Sequence, residues 1–195
     1  LLLMGQGDDY HDGKDLTDTI MVASIDPSQT QSVVLLSIPR DVHFLKTEKM
    51  GKGKVNSLYR DYKSFLRFNQ GMDPEAASLE ALRELGNEVG RKLDLDIQHV
   101  IKVNFSAFIE AVDAVEGIEV DVPEAINDTE YPDENYGYQA FQIEKGLQTL
   151  DGTTALKYAR TRHTTSDFSR SARQQQIIRA LASKAKTGGY ASNPN

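Results

Sequence analysis

Seventeen residues, Lys157 to Arg173, read KYARTRHTTSDFSRSAR and hold four arginines, one histidine and one aspartate in a chain of net charge −7. Guanidinium groups present planar forks of N–H donors that match phosphate oxygens two at a time. A cluster this dense in an acidic protein points to a phosphorylated ligand held by Arg160, Arg162, Arg170 and Arg173. The same acidity argues against a nucleic-acid partner, because such a binder carries a dominant basic surface.

Charge is segregated along the C-terminal half. Lys157 to Lys186 holds eight Lys or Arg against Asp167 alone, a net of +7, whereas Phe105 to Asp151 holds twelve Asp or Glu against Lys145 alone, a net of −11. Two solvated faces that pair with each other are the plain alternative to a pocket. Arginines two and three positions apart beside an aspartate favour the pocket. His163, flanked by arginines, suits a general base or one more phosphate donor.

Other candidates stand at the ends of expected strands. Asp18 directly precedes TIMVASID, and Arg40 and Asp41 directly follow SVVLLSIP, so antiparallel pairing of those runs places Asp18 near Arg40. Alone, that is an ordinary ion pair. A magnesium site needs carboxylates plus substrate phosphate, and GQGDDYHDGKDLTD supplies Asp8, Asp9, Asp12, Asp15 and Asp18 without the spacing of a calcium-binding EF-hand loop. GKGKVN (Gly51 to Asn56) lacks Walker spacing, and neither GxSxG nor HExxH occurs, which removes the common nucleotide, acyl-transfer and zinc-peptidase readings. The chain has no cysteine, so thiol catalysis and disulfides are excluded too.

These residues need an alternating α/β framework to position them. Thr19–Asp26 and Ser32–Pro39 are β-branched runs that read as adjacent strands. Asp73-Pro74 opens a helix reaching Leu93. His99–Phe105 reads as a strand, Ser106 as the cap of a short helix that Gly117 ends, and IEVDVP as the strand after it. Asn127 to Tyr138 reads as a long acidic loop, FQIEKG as a strand with a turn, and Leu150 to Tyr158 as a short helix. A final helix from near Asp167 keeps Ile177, Ile178 and Leu181 on one stripe and sets Arg170, Arg173 and Gln174 on one face of its first turns. Free amides and the helix dipole favour an anion there.

No linker or repeat divides the 195 residues, so one domain is expected. The apolar opening, LLLMGQG, is too short to span a bilayer. Its abrupt start suggests a piece of a longer protein whose anchor lies further N-terminal.

The blocks DLTDTIMVASID, LLSIPRD, KVNSLY, VEGIEVDVP, LDGTTALKYARTRH and DFSRSARQQQII, in this order and spacing, resemble the LytR-CpsA-Psr family of bacterial cell-wall proteins, over nearly the whole chain. The resemblance implies a three-layer α/β/α fold with a central mixed sheet. It implies one extracytoplasmic catalytic domain over residues 1–187, with 188–195 a flexible tail. The activity implied is a Mg2+-dependent phosphotransferase that attaches a glycopolymer, such as teichoic acid or capsule, from a polyprenyl-pyrophosphate carrier to peptidoglycan. Such a protein works at the outer face of the bacterial membrane on a single-pass N-terminal anchor. Alternatives are a polyprenyl-pyrophosphate phosphohydrolase, or a non-catalytic module that binds lipid-linked glycans.

By motif, the resemblance gives Arg40, Arg160, Arg162 and Arg170 to the pyrophosphate and to catalysis, with Lys54, Arg173 and Gln174 as further substrate contacts. Asp167 suits orienting Arg160 or Arg162, or accepting the acceptor's proton. The first role is favoured because an aspartate among arginines makes a weak base. Asp18 is the implied metal ligand. Family members commonly add an aspartate soon after LLLG, where Gln6 or Gly7 stands here; Asp8, Asp9 and Asp12 are the available substitutes, and Asp8 is taken as the second ligand. Leu16 replaces an arginine that members often carry two residues before the Asp18 position.

Overall fold

The structure, a computed structural model, describes residues 1–8, 15–25, 33–133, 137–161 and 167–188, leaving aside the side chains of Ile25, Asp167 and Phe168. Its contacts cluster into two compact units, Leu1–Phe105 and Ser106–Asn195.

The first unit is built on strands β1 (Leu2–Gln6), β2 (Thr17–Ile25) and β3 (Val33–Ser37). A two-stranded ribbon, β4 (His43–Phe44) with β5 (Gly53–Lys54), follows, then helices α1 (Val55–Phe68) and α2 (Pro74–Leu93) and strand β6 (Val100–Val103). The main sheet has the order β3-β2-β1-β6. β1 and β3 flank β2 antiparallel, while β6 runs parallel to β1, so the sheet is mixed as expected.

Alternation explains how the helices dock. Leu2 faces Val22 and Met4 faces Ile20 across β1 and β2. Those four side chains share one face and pack with Leu58, Tyr59, Leu66, Ala81, Leu85 and Val89 of α1 and α2. Each such buried aliphatic contributes roughly 1.5–3 kcal/mol. Met21 and Ala23, on the opposite face of β2, are buried as well, so the strand is covered on both sides like the middle layer of an α/β fold. α2 starts where the sequence places it: Asp73 Oδ1 accepts from Glu75 N at 2.9 Å and Ala76 N at 3.2 Å, and Pro74 takes the first helical position. Gly86 lets α2 lie against β6, since a Cβ there would stand 2.6 Å from Val100 Cγ2.

In chain order, α3 (Phe105–Asp113), β7 (Ile118–Val122), β8 (Ile126–Pro132), β9 (Tyr138–Ile143), β10 (Gly146–Leu150), α4 (Gly152–Arg160) and α5 (Asp167–Thr187) complete the fold. β7 pairs with β10 and β8 with β9, both antiparallel. Val112, Ile118, Val120, Val122, Leu150, Tyr158 and Ile177 form the core of the second unit. Gly117, at φ +83°, turns the chain out of α3 and donates its N–H to Val112 O at 3.0 Å.

Two local expectations are corrected. Helix α3 begins at Phe105, so Ser106 lies inside its first turn rather than before it. The stretch expected as an acidic loop from Asn127 is largely strand β8, which buries Ile126, Asp128 and Tyr131 and exposes Asn127, Thr129 and Glu130. An inward carboxylate and an interrupted two-residue period hid that strand. Residues 134–136 and 189–195 lie outside the described residues.

Candidate functional site

The first unit carries a cluster built around Asp18. Gly5 pairs with Thr19 and Gln6 with Thr17, which leaves Asp18 as an extra residue in a β-bulge. Bulges re-aim side chains, and this one turns Asp18 outward while Thr17 and Ile20 stay buried. Ile38 N donates to Ile20 O at 2.8 Å, so the end of β3 runs alongside β2 and delivers Arg40. Arg40 Nη1 donates to Asp18 Oδ1 at 3.2 Å, and Arg40 Nε lies 3.6 Å from Asp41 Oδ2. Lys54 Nζ, from the residue that caps α1, donates to Asp41 Oδ1 at 2.7 Å.

Asn56 completes this cluster, and the sequence reading did not single it out. It is buried in the first turn of α1, and its Nδ2 donates to Asp18 Oδ1 at 3.1 Å. Its backbone is fixed too: Thr17 Oγ1 donates to Asn56 O at 3.3 Å, and Asn56 N to Arg40 O at 3.4 Å. The signal is present in KVN, where the asparagine stands two residues after Lys54.

Both donors to Asp18 fall on Oδ1. Among the described residues Oδ2 receives none, and Gln6 Oε1, opposite the bulge, is buried without a hydrogen-bond partner. A carboxylate and an amide oxygen with spare lone pairs are the donor set a hard divalent cation takes. No group of three or more His, Asp or Glu able to hold a metal occurs among the described residues. Magnesium typically binds one or two carboxylates and completes its shell with water and substrate phosphate, so this set fits that ion. Asp8, two residues beyond β1, is half-buried. Asp9 and Asp12 lie outside the described residues.

The second unit carries the arginines. Arg160 closes α4, with Nη1 donating to Tyr131 Oη at 3.1 Å and its Cζ 5.5 Å from the Tyr131 ring centre. Arg170 and Arg173, one turn apart on α5, are both buried. Arg173 Nε donates to Tyr158 O at 2.9 Å and its Nη2 to Thr161 O at 2.5 Å. Gln174 Nε2 reaches Ala159 O at 3.4 Å. The last carbonyls of a helix lack intrahelical donors, and here α5 side chains supply them. Arg173, expected as a substrate contact, donates to the backbone at the end of α4. Burial lowers its pKa, offset in part by the neighbouring Tyr158. Burial likewise raises the Tyr131 phenol, against the pull of Arg160. Arg162, His163 and the Asp167 side chain lie outside the described residues.

The LytR_cpsA_psr family model matches residues 1–190. The cell wall biosynthesis protein LcpA of Corynebacterium glutamicum is 30% identical over 204 residues, taking in 100% of this chain and 37% of that protein. The polyisoprenyl-teichoic acid–peptidoglycan teichoic acid transferase TagU of Bacillus licheniformis is 30% identical, over 94% of this chain and 51% of its own length. The chain thus spans about half or less of these relatives. Among solved structures, TagV of B. subtilis superposes with a TM-score of 0.66 at 29% identity, covering 94% of this chain and 63% of that one. The LytR-CPS2A-psr family protein YwtF (TagT) with bound octaprenyl pyrophosphate lipid superposes at 0.64 and 25% identity, over 95% of this chain and 64% of that one.

Proposed function

The chain belongs to the LytR-CpsA-Psr family, and from that premise we propose that it is a phosphotransferase moving a glycopolymer from a polyprenyl-pyrophosphate carrier onto peptidoglycan. The observation that carries this reading is the arginine pair closing α4 and opening α5, Arg160 and Arg170, in a family whose member TagT binds octaprenyl pyrophosphate. The acceptor is a sugar hydroxyl of peptidoglycan. It works at the outer face of the membrane, with an anchor beyond this chain; none of the described helices is long and apolar enough to cross a bilayer.

In the reaction, the acceptor oxygen bonds to the phosphorus that carries the glycan, and the bridging P–O bond to the lipid phosphate breaks. Polyprenyl monophosphate leaves, and the hydroxyl proton passes to solvent. Catalysis of this kind is mainly positioning and charge neutralisation. By the family's motifs, Arg40 and Lys54 in the first unit and Arg160, Arg162 and Arg170 in the second are the cations assigned to phosphate oxygens, whose charge they would neutralise. Asp18 pairs with Arg40 and Asp41 with Lys54, which fixes both cations in one cluster of the first unit. Magnesium held by Asp18, with Gln6 or Asp8 beside it, would supply further charge neutralisation on the diphosphate.

The test is ligation of a labelled lipid-linked polymer to peptidoglycan. The Arg162→Ala, Arg170→Ala double variant is expected to lose transfer, and normal transfer by it would defeat the proposal.

A further inference from the structure

Hairpin β8–β9 contains a second bulge. Asp128 pairs with Phe141 and Tyr131 with Gln139, so Thr129 and Glu130 together oppose the single residue Ala140. In a strictly alternating strand Tyr131 would share the outward face of Asn127 and Thr129. The extra residue reverses that, and both Asp128 and Tyr131 point inward, 1% and 3% exposed. Asp128 Oδ1 closes the bulge by accepting from Glu130 N at 3.1 Å.

Both inward side chains end on consecutive residues of the arginine segment. Tyr131 Oη accepts from Arg160 Nη1, and Asp128 Oδ2 accepts from Thr161 Oγ1. Phe141, 5.9 Å away and tilted 52°, packs the Tyr131 ring from the partner strand. Thr161 is itself buried, with its carbonyl held by Arg173. A hairpin serving only to cover a core would need neither a buried carboxylate nor a phenol directed at a guanidinium, because burying polar groups costs free energy that apolar side chains avoid.

We propose that Asp128 and Tyr131 are positioning residues: the bulged hairpin holds Arg160 and Thr161 in the geometry that receives a diphosphate. This rests on the assignment of Arg160 to the pyrophosphate above. Tyr131 fixes one guanidinium nitrogen of Arg160, and Asp128 fixes Thr161, the residue that follows it.

Binding of farnesyl pyrophosphate by calorimetry tests this, using native protein, Tyr131→Phe, Arg160→Ala and the double variant, each with its melting curve. Tyr131→Phe keeps the ring against Phe141 and removes only the hydroxyl. It is expected to weaken binding about 3- to 10-fold with an unchanged melting temperature, and to cost nothing further once Arg160 is alanine. Native-like binding by Tyr131→Phe, or an equal loss in both backgrounds, overturns the positioning role while leaving Arg160 assigned. Native-like binding by Arg160→Ala overturns the assignment itself, and the positioning role with it. If Tyr131→Phe melts early, Asp128→Asn, which retains an acceptor for Thr161, is expected to bind less tightly than native only while Arg160 is present; equal binding overturns the proposal.

Discussion

Arg40 Nη1 lies 3.2 Å from Asp18 Oδ1, across 22 residues of chain, because the bulge in β2 and the turn after β3 bring the two ends together. Both partners are half-buried, at 27% and 45% exposure of the side chain, and a pair this open to solvent contributes about 0–1 kcal/mol to stability. Asp18→Asn is expected to leave the melting temperature nearly unchanged while lowering magnesium-dependent transfer by about 10²- to 10³-fold. A thermal melt beside a transfer assay checks both halves.

Asn56 holds the Asp18 carboxylate by the oxygen that also meets Arg40. Asn56→Ala frees the carboxylate to rotate, so binding of Mn2+ in place of magnesium, followed by electron paramagnetic resonance, is expected to weaken severalfold. Stability should fall by about 1 kcal/mol for the lost hydrogen bond.

Arg173 donates to two carbonyls at the end of α4 with one planar fork, a geometry lysine cannot copy. Arg173→Lys is expected to destabilise the protein by about 1–3 kcal/mol in urea unfolding. An unchanged midpoint would count against its role as a cap.

Away from the arginines, Glu84 is buried on α2 and bonded by Arg91 at 2.9 Å, Lys49 at 3.2 Å and Asn87 at 3.3 Å. Burial disfavours its charge, but those hydrogen bonds outweigh burial and hold the carboxyl below its ordinary 4.5. A depressed folded-state value gives stability that is complete above the ordinary carboxylate range and is lost as pH falls through the folded value. Glu84→Gln should therefore cost about 2 kcal/mol near neutrality, with a flatter loss of stability on acidification than the native protein.

Much of this was legible in the sequence. Asp73-Pro74 marks the start of α2 because a cap and a first-turn proline are local signals, and the β-branched runs before and after Ser32 mark the antiparallel strands that bring Asp18 to Arg40. Bulges were not legible. Asp18 and Tyr131 each owe their direction to one unpaired residue, which shifts a two-residue period and leaves no compositional trace. Asn56 and Arg173 show the other limit: whether a polar side chain faces ligand or backbone depends on partners remote in sequence, and no spacing reports it.

The most direct measurement of the central claim is the mass of the lipid released when the protein transfers a polyprenyl-pyrophosphate-linked glycan to peptidoglycan. Polyprenyl monophosphate, with the second phosphate found in the glycan–peptidoglycan linkage and both products lost in Arg40→Ala, is the expected result. Release of polyprenyl pyrophosphate, or full activity in Arg40→Ala, would contradict it.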